Sequence, residues 1–367
     1  MFKKLGYADK ILFSLNLGSS IVLLISFLSQ YLDPSQFWFI SILGLAFPAF
    51  FLIELAFCFY WTLKLKTQAF LSLIILLMVS AAIPRHFQLR ESEERLGTKI
   101  LSFNAQVFDH YRWKKDPSKR RAIYSFLKEE SASIVCFQEY FESRREFYKD
   151  FNDSLAAAVG QNHQSHKEYS VDYYGNLFGL ATFSEFPIIN SGKIALEQYG
   201  ANICIYTDLL FQEDTVRVYN MHLASLHLNN ESYELFENVE NGLESKNIKA
   251  VSNLLRRMKK GYQRRKLQVV PIAEHIKNSP YPVILCGDFN DGPNSYSYHL
   301  LSEGLKDSFV ETGFGFGNTY NGKLPSLRID YILHAAKFNT ISHRVIKKDL
   351  SDHFPIVAQI EPSDTEL

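Results

Sequence analysis

The chain of 367 residues has little cysteine and no imbalance of charge. Its four cysteines, Cys58, Cys136, Cys204 and Cys286, show no spacing that suits a zinc site or a disulfide framework. They read as small core residues. Basic and acidic residues number 39 each, so the formal net charge is zero. Residues 1–66 hold five lysines against three acids, which leaves 34 basic and 36 acidic residues in the remainder, a net of −2. A committed nucleic-acid binder is usually basic overall, and this chain is not. There is no internal repeat and no low-complexity tract. No serine or cysteine sits in a nucleophile-elbow setting such as Gly-x-Ser-x-Gly, so the sequence offers no covalent nucleophile of that kind.

Apolar residues are abundant, at 47%, and concentrated at the N-terminus. Ile11 to Leu32 carries no charge and is closed by Asp33-Pro34. Gln36 to Trp61 carries only Glu54. Gln68 to Ile83 is closed by Pro84 and Arg85. Each run is roughly 16 to 26 residues, enough or nearly enough to span a bilayer. A cleaved signal peptide would explain the first run but not all three. Buried helices of a soluble protein are the plain alternative. Lys3, Lys4 and Lys10 precede the first run, and Lys64 and Lys66 separate the second from the third. The positive-inside rule then puts the N-terminus and the Lys64 loop in the cytoplasm. Everything after Arg85 falls outside, although Arg85, Arg90 and Arg95 pull the other way. The sequence thus predicts a multi-pass anchor of the cytoplasmic membrane over residues 1–85, a linker over 86–97, an extracytoplasmic domain over 98–361 and a tail over 362–367. Glu54, an acid inside a span, is either functional or hydrogen-bonded within the helical bundle.

After residue 97 the pattern changes to short β-prone runs that end in polar residues. Pro282 to Cys286 is an apolar run that breaks at Gly287 and delivers Asp288, Asn290 and Asp291. It reads as a buried strand whose end opens on a cleft. Asp288 and Asn290 are two apart, so strand geometry would put them on one side. An ordinary strand-to-turn exit reads the same way. Lys99 to Asn104 and Ser133 to Glu139 are further strands with polar ends, and Ser118 to Glu130 is a helix between them. Ile203 to Phe211 and Val216 to Tyr219 form a hairpin around Gln212-Glu213-Asp214, and the second strand runs into His222. A helical section fills Ser245 to Asn278 and holds a basic run, Arg256 to Lys266. That run could hold a nucleic-acid backbone or anionic lipid heads, or be a solvated face. Leu327 to Leu333 reads as a strand containing Asp330, and Asp352-His353 precedes a last strand. Consecutive strands with helices between them suggest a layered α/β sandwich.

Six motifs, Ser102-Phe103-Asn104, Phe137-Gln138-Glu139, Asn220-Met221-His222-Leu223, Gly287-Asp288-Phe289-Asn290, Arg328-Ile329-Asp330-Tyr331 and Ser351-Asp352-His353, occur in one order over residues 98–361. Together they resemble the endonuclease/exonuclease/phosphatase superfamily. The resemblance implies a four-layer α/β/β/α sandwich of two packed mixed sheets flanked by helices; the region before Arg85 lies outside it, and its three apolar runs read as three transmembrane helices preceding the sandwich. It implies that Glu139, Asn104 and Asp352 are metal ligands, and oxygen donors suit Mg²⁺ or Mn²⁺. Asp288 would orient and deprotonate water, and Asn290 would hydrogen-bond the developing charge. Asp330 would fix and charge His353, with His222 as a second donor or acid. Asn176 lies where the family often has a phosphate-contacting asparagine.

The expected activity is a membrane-anchored, metal-dependent phosphodiesterase, with a phospholipid headgroup as a candidate substrate. An extracytoplasmic nuclease acting on DNA or RNA is the alternative. A non-catalytic membrane binding module would have lost one or more of Glu139, Asp288, Asn290 and His353, and all four are present.

Overall fold

The computed structural model describes residues 6–90, 95–112, 118–160, 162–196, 204–211, 213–226, 245–322 and 327–363. Lys3 and Lys4, residues 91–94 of the expected linker, Ile203 and Gln212 of the expected hairpin, and the last four residues of the tail lie outside them.

Four apolar helices come first: α1 (Tyr7–Leu28), α2 (Pro34–Leu45), α3 (Phe47–Leu63) and α4 (Ala69–Val79). Asp33 caps α2 by accepting from the Ser35 amide at 2.7 Å, and Pro34 fits the first turn. The expected second span is not one helix. It bends by 54° between α2 and α3. Pro48 stands in the first turn of α3 and has no N–H to continue the ladder from α2. The α1 helix, extended to Tyr31, is the one helix among the described residues long and apolar enough to cross a membrane; the α2–α3 pair passes only as a bent unit, and Ala69–Arg85 is shorter.

The helices α1, α3 and α4 bundle with polar residues inside. Asn16, Ser20, Glu54 and Ser72 are buried, while Leu15, Ile21, Leu52, Phe59, Phe70 and Leu77 are exposed. Glu54 Oε1 accepts from Asn16 Nδ2 and Ser20 Oγ, both at 2.9 Å. Cys58 on α3 is half-buried, whereas the other three cysteines are fully buried.

In chain order the strands are β1 (Gln88–Leu89), β2 (Thr98–Asn104), β3 (Ile134–Ser143), β4 (Gln164–Val171), β5 (Asn176–Ser184), β6 (Ile188–Ile194) and β7 (Cys204–Phe211). They continue with β8 (Asp214–His222), β9 (Val283–Asp288), β10 (Leu305–Asp307), β11 (Phe314–Gly315), β12 (Asp330–Ala335), β13 (Phe338–Val345) and β14 (Ile356–Pro362). Between them lie helices α5 (Ser118–Glu130), α6 (Lys149–Val159), α7 (Ser245–Lys277), α8 (Tyr296–Leu301) and α9 (Ser308–Thr312).

Two six-stranded sheets form, in the orders β10-β12-β9-β8-β7-β6 and β13-β14-β2-β3-β5-β4. The pairs β2–β3 and β8–β9 are parallel and the rest antiparallel, so both sheets are mixed. Ile100, Cys136, Val218, Ile284 and Ile332 fill the space between the sheets. Phe103 and Phe137 pack outward against Phe126 of α5 and Leu155 of α6. On the opposite face Leu285 and Tyr219 meet Ile272 of α7 and Tyr298 of α8. Helices therefore cover both outer faces. All six residues of β9 are buried, which explains its unbroken apolar run. The sequence reading of Leu327 to Leu333 as strand is corrected at its start: β12 begins at Asp330 itself.

Candidate active site at the strand ends

The site is built where the ends of β2, β3, β8 and β9 meet the start of β12. Register does most of the work. His222 pairs with Asp288 across the β8–β9 ladder, and Asp330 pairs with Asp288 across β12–β9. Gly287 has φ 152°, and a Cβ there would collide with the Met221 carbonyl. Only glycine lets β9 approach β8 this closely just before Asp288.

Asp288 is buried at the centre. Asn104 Nδ2 donates to its Oδ2 at 3.0 Å, and the Asn290 amide donates to its Oδ1 at 2.8 Å. Asn290 Nδ2 donates to Asp288 Oδ2 at 3.2 Å and to the Leu223 carbonyl at 3.0 Å. His222 Nε2 and His353 Nε2 stand 3.6 and 3.7 Å from the same carboxylate oxygen. Asp288 and Asn290 do come together, but not by strand alternation. The strand stops at Asp288, and Asn290 adopts φ 51°. An asparagine tolerates this left-handed conformation better than most residues.

His353 is buried, and its Nδ1 lies 2.9 Å from Asp330 Oδ2. Burial opposes its charge, yet Asp330 and Asp288 outweigh this and push it up to about 10. Burial pushes the Asp288 carboxyl above its ordinary value, while His353 draws it down. The result is an imidazolium held between two carboxylates, a fixed cation beside a basic carboxylate.

Glu139 stands 3.9 Å from His222 Nε2, with its side chain 38% exposed. Its φ is 48°, at a bulge where β3 slips against β5 between Phe137 and Tyr140. The bulge re-aims a side chain that regular strand geometry would hold against the sheet. Asp352 Oδ1 accepts from Ser351 Oγ at 3.1 Å, and its carbonyl accepts from the Asn321 amide. Asp288, Asp330 and His353 present ligand atoms within 4.8 Å of one another and could hold a metal ion. With His353 Nδ1 engaged by Asp330, the same three also form a carboxylate–imidazole–carboxylate chain. The set Glu139, Asn104 and Asp352 offers only oxygen atoms, the donor chemistry of a hard divalent cation.

Asn176 stands apart from this cluster. It heads β5 opposite Ser143, and its Nδ2 is committed to Asp172 at 2.9 Å, while its Oδ1 is buried without a partner. Other contributors were not singled out from the sequence. Thr319 Oγ1 accepts from the amides of Ile329 and Asp330, each at 3.1 Å, and its carbonyl accepts from Phe354. It thereby ties the segments carrying Asp330 and His353. The Tyr320 ring packs edge-on against His353 at 5.5 Å. Beneath the site, Gln138 Nε2 donates to Asn220 Oδ1 at 2.8 Å, joining the two sheets. Gln138 and Asn220 stood in the motifs, but nothing local in the sequence distinguishes a sheet-joining amide from a substrate ligand.

The basic run on α7 packs in part against α2. Arg265 is buried, with Nε 3.2 Å from Asp291 Oδ2 and Nη1 on the Ala224 carbonyl. Lys266 pairs with Asp33 at 3.3 Å, and Lys259 lies over the Trp38 ring. Arg256, Lys260 and Arg264 remain exposed.

The family model described as Endonuclease/Exonuclease/phosphatase family matches residues 101–353. A second, described as a domain of unknown function (DUF8431), matches residues 9–86. No curated protein matches the chain. Among solved structures, D. rerio TDP2 complexed with a single-strand DNA product is similar over 73% of this chain and 100% of its own, with a TM-score of 0.51 at 19% identity. The human Nocturnin catalytic domain with bound sulfate is similar over 73% of this chain and 94% of its own, with a TM-score of 0.51 at 16% identity. A Bacteroides thetaiotaomicron protein of the same family is similar over 73% of this chain and 98% of its own, with a TM-score of 0.50 at 17% identity. These likenesses concern the fold. With the family model spanning most of the sequence, this chain belongs to the endonuclease/exonuclease/phosphatase family.

Proposed function

We propose that this protein is a membrane-seated, divalent-metal-dependent phosphodiesterase that hydrolyses a phospholipid headgroup ester by direct attack of water. The observation that carries the reading is Asp288, buried and shared by Asn104, Asn290, His222 and His353. A buried carboxylate with a raised pKa is suited to take a proton from water. Asn290 would turn its longer Nδ2 bond, 3.2 Å to Asp288, onto a phosphoryl oxygen as a neutral donor, and the His353 imidazolium, held by Asp330, supplies a fixed positive charge. His222 stands beside the same oxygen as donor to the leaving group. Glu139, Asn104 and Asp352 would hold Mg²⁺ or Mn²⁺, which supplies charge neutralisation at a phosphate oxygen. Asn176 is assigned a weaker, outer phosphate contact.

The membrane assignment rests on the bundle of α1, α3 and α4, whose exposed faces are apolar and whose interior is polar. Such an inversion suits hydrocarbon surroundings. Lys64 pairs with Asp9 at the end of the bundle away from the catalytic domain. That end is the cytoplasmic one by the positive-inside rule, which leaves the active site outside. The exposed Arg256, Lys260 and Arg264 keep polynucleotide cleavage as the second reading.

The test uses the full chain in detergent, with Mg²⁺ or Mn²⁺, on bis-p-nitrophenyl phosphate, phospholipid, DNA and RNA. Wild type should turn over the small diester, and Asp288→Ala and His353→Ala should lose at least about 100-fold. Equal turnover by all three proteins would end the enzymatic reading. Preference for DNA or RNA over lipid would select the second reading.

A further inference from the structure

The bundle does not hang from the catalytic domain by a free tether. Asn294, four residues after Asn290, donates from Nδ2 to the Ser26 carbonyl at 2.7 Å. Its own carbonyl accepts from Ser29 Oγ, and Gln30 Nε2 reaches its Oδ1 at 3.3 Å. The end of α1 is thus fastened to the loop that leaves the Asp288 strand. The break between α2 and α3 lies over the same loop, and between them is a cavity of about 150 Å³.

Three sources wall this cavity. Leu45 and Pro48 come from the helix break, Arg85 and His86 from the exit of the last apolar helix, and Gly292 and its neighbours from the catalytic loop. Asn318, next to Thr319 in the chain, is also part of its lining. Two buried nitrogens of its lining residues have no hydrogen-bond partner, His86 Nε2 and Arg328 Nε. Arg328 uses its other nitrogens on Asp307 and the Arg85 carbonyl, and His86 stacks on Phe47. Burial, with Arg328 nearby, pushes His86 down to about 3, so its ring is neutral and free to present an N–H. Asp291, the acid in the cavity lining, is already engaged by Arg265 and Ser297. Buried donors left unpaired are unfavourable, so an occupant with acceptors is favoured.

We infer that this cavity receives the glycerol-ester portion of a membrane phospholipid whose scissile phosphate lies at Asp288, with ester oxygens accepting from Arg328 Nε and His86 Nε2. This deepens, and rests on, the phosphodiesterase reading above. Diacylglycerol esters are acceptor-only and flanked by hydrocarbon. They match a pocket that pairs unspent donors with apolar walls drawn from bilayer-facing helices. A nucleic acid, whose flanks are strongly hydrated sugar-phosphates, offers no apolar surface to the Leu45, Pro48 and Phe316 walls. A cavity of about 150 Å³ far exceeds what one water needs and has room for a small polar group such as a glycerol backbone. The helices accordingly form one wall of the substrate site as well as an anchor.

The experiment compares the full chain in lipid nanodiscs of phosphatidylcholine and phosphatidylglycerol, assayed on that lipid and on bis-p-nitrophenyl phosphate. A Cβ at Gly292 meets only Leu45 Cδ1, at 4.0 Å, so a side chain can leave this position, and Gly292→Leu is chosen to occupy the cavity. His86→Phe keeps the stack on Phe47 and removes the donor. For both variants the ratio of phospholipid to small-diester turnover should fall at least tenfold. An unchanged ratio, whether both activities persist or both fall together, overturns the cavity's role. A wild type that cleaves the small diester and DNA but not phospholipid removes the lipid occupant and leaves the enzyme. A wild type that cleaves no phosphodiester removes the reading beneath it.

Discussion

Two residues at the heart of the site, Glu139 and Asn290, hold left-handed backbone at φ 48° and 51°. For a residue with a Cβ this conformation costs roughly 1–2 kcal/mol, which the surrounding strands must offset. Glu139→Gly should therefore be more stable to denaturant than Glu139→Ala by about 1 kcal/mol. Both should bind Mg²⁺ or Mn²⁺ at least tenfold more weakly, read by calorimetry. Equal stability of the two variants would mean that Glu139 is not strained. The sequence disclosed the identity of both residues through the motifs. It did not disclose their backbone, because a β-bulge and a left-handed turn depend on partner strands far along the chain. Strand alternation correctly anticipates that Asp288 and Asn290 are neighbours, but for the wrong geometric reason.

Among the elements, Thr319 shows how a side chain can start a strand. Thr319 Oγ1 satisfies the amides of Ile329 and Asp330, so β12 begins with Asp330 already aimed at His353. Thr319→Val keeps the shape and leaves two buried donors unpaired. It should cost about 1–3 kcal/mol in urea unfolding and lower small-diester turnover as the Asp330–His353 pair loosens. Full stability and full activity together would refute this role. Helix α7 carries the opposite lesson. A basic run in sequence looks like one surface, yet burial sorts it. Arg265 is consumed by Asp291 and Lys266 by Asp33. Charge spacing alone cannot say which lysines and arginines face another helix. The expected middle span failed for a local reason that was visible, Pro48, whose missing N–H divides an apolar stretch into α2 and α3.

At the scale of the whole molecule, the strands that carry the site were legible because the apolar runs of β2, β3, β8 and β9 end at Asn104, Glu139, His222 and Asp288, whereas the two-sheet arrangement followed only from the family resemblance. The docking of the helical bundle was not legible. It depends on Asn294, Ser26, Ser29 and Gln30, ordinary polar residues whose meeting across the fold no periodicity announces. Acid stability should also reflect the folded whole. His343 is buried beside Ser308, and burial pushes its pKa down to about 4. The unfolded chain takes up this proton first, near 6.5, so stability is complete above that value and declines as the pH falls toward 4, by up to about 3 kcal/mol. His343→Gln should flatten that part of the profile in thermal melts. An unchanged slope would show that His343 is not held neutral.

The central claim is that the strand ends form a metal-assisted hydrolytic site around Asp288. Its most direct test is turnover of bis-p-nitrophenyl phosphate by the full chain, titrated with Mg²⁺ or Mn²⁺ and then with EDTA, for wild type and Asp288→Asn. The account predicts metal-dependent turnover that EDTA abolishes and that the substitution lowers at least about 100-fold with the fold intact. Turnover that ignores both chelator and substitution would contradict it.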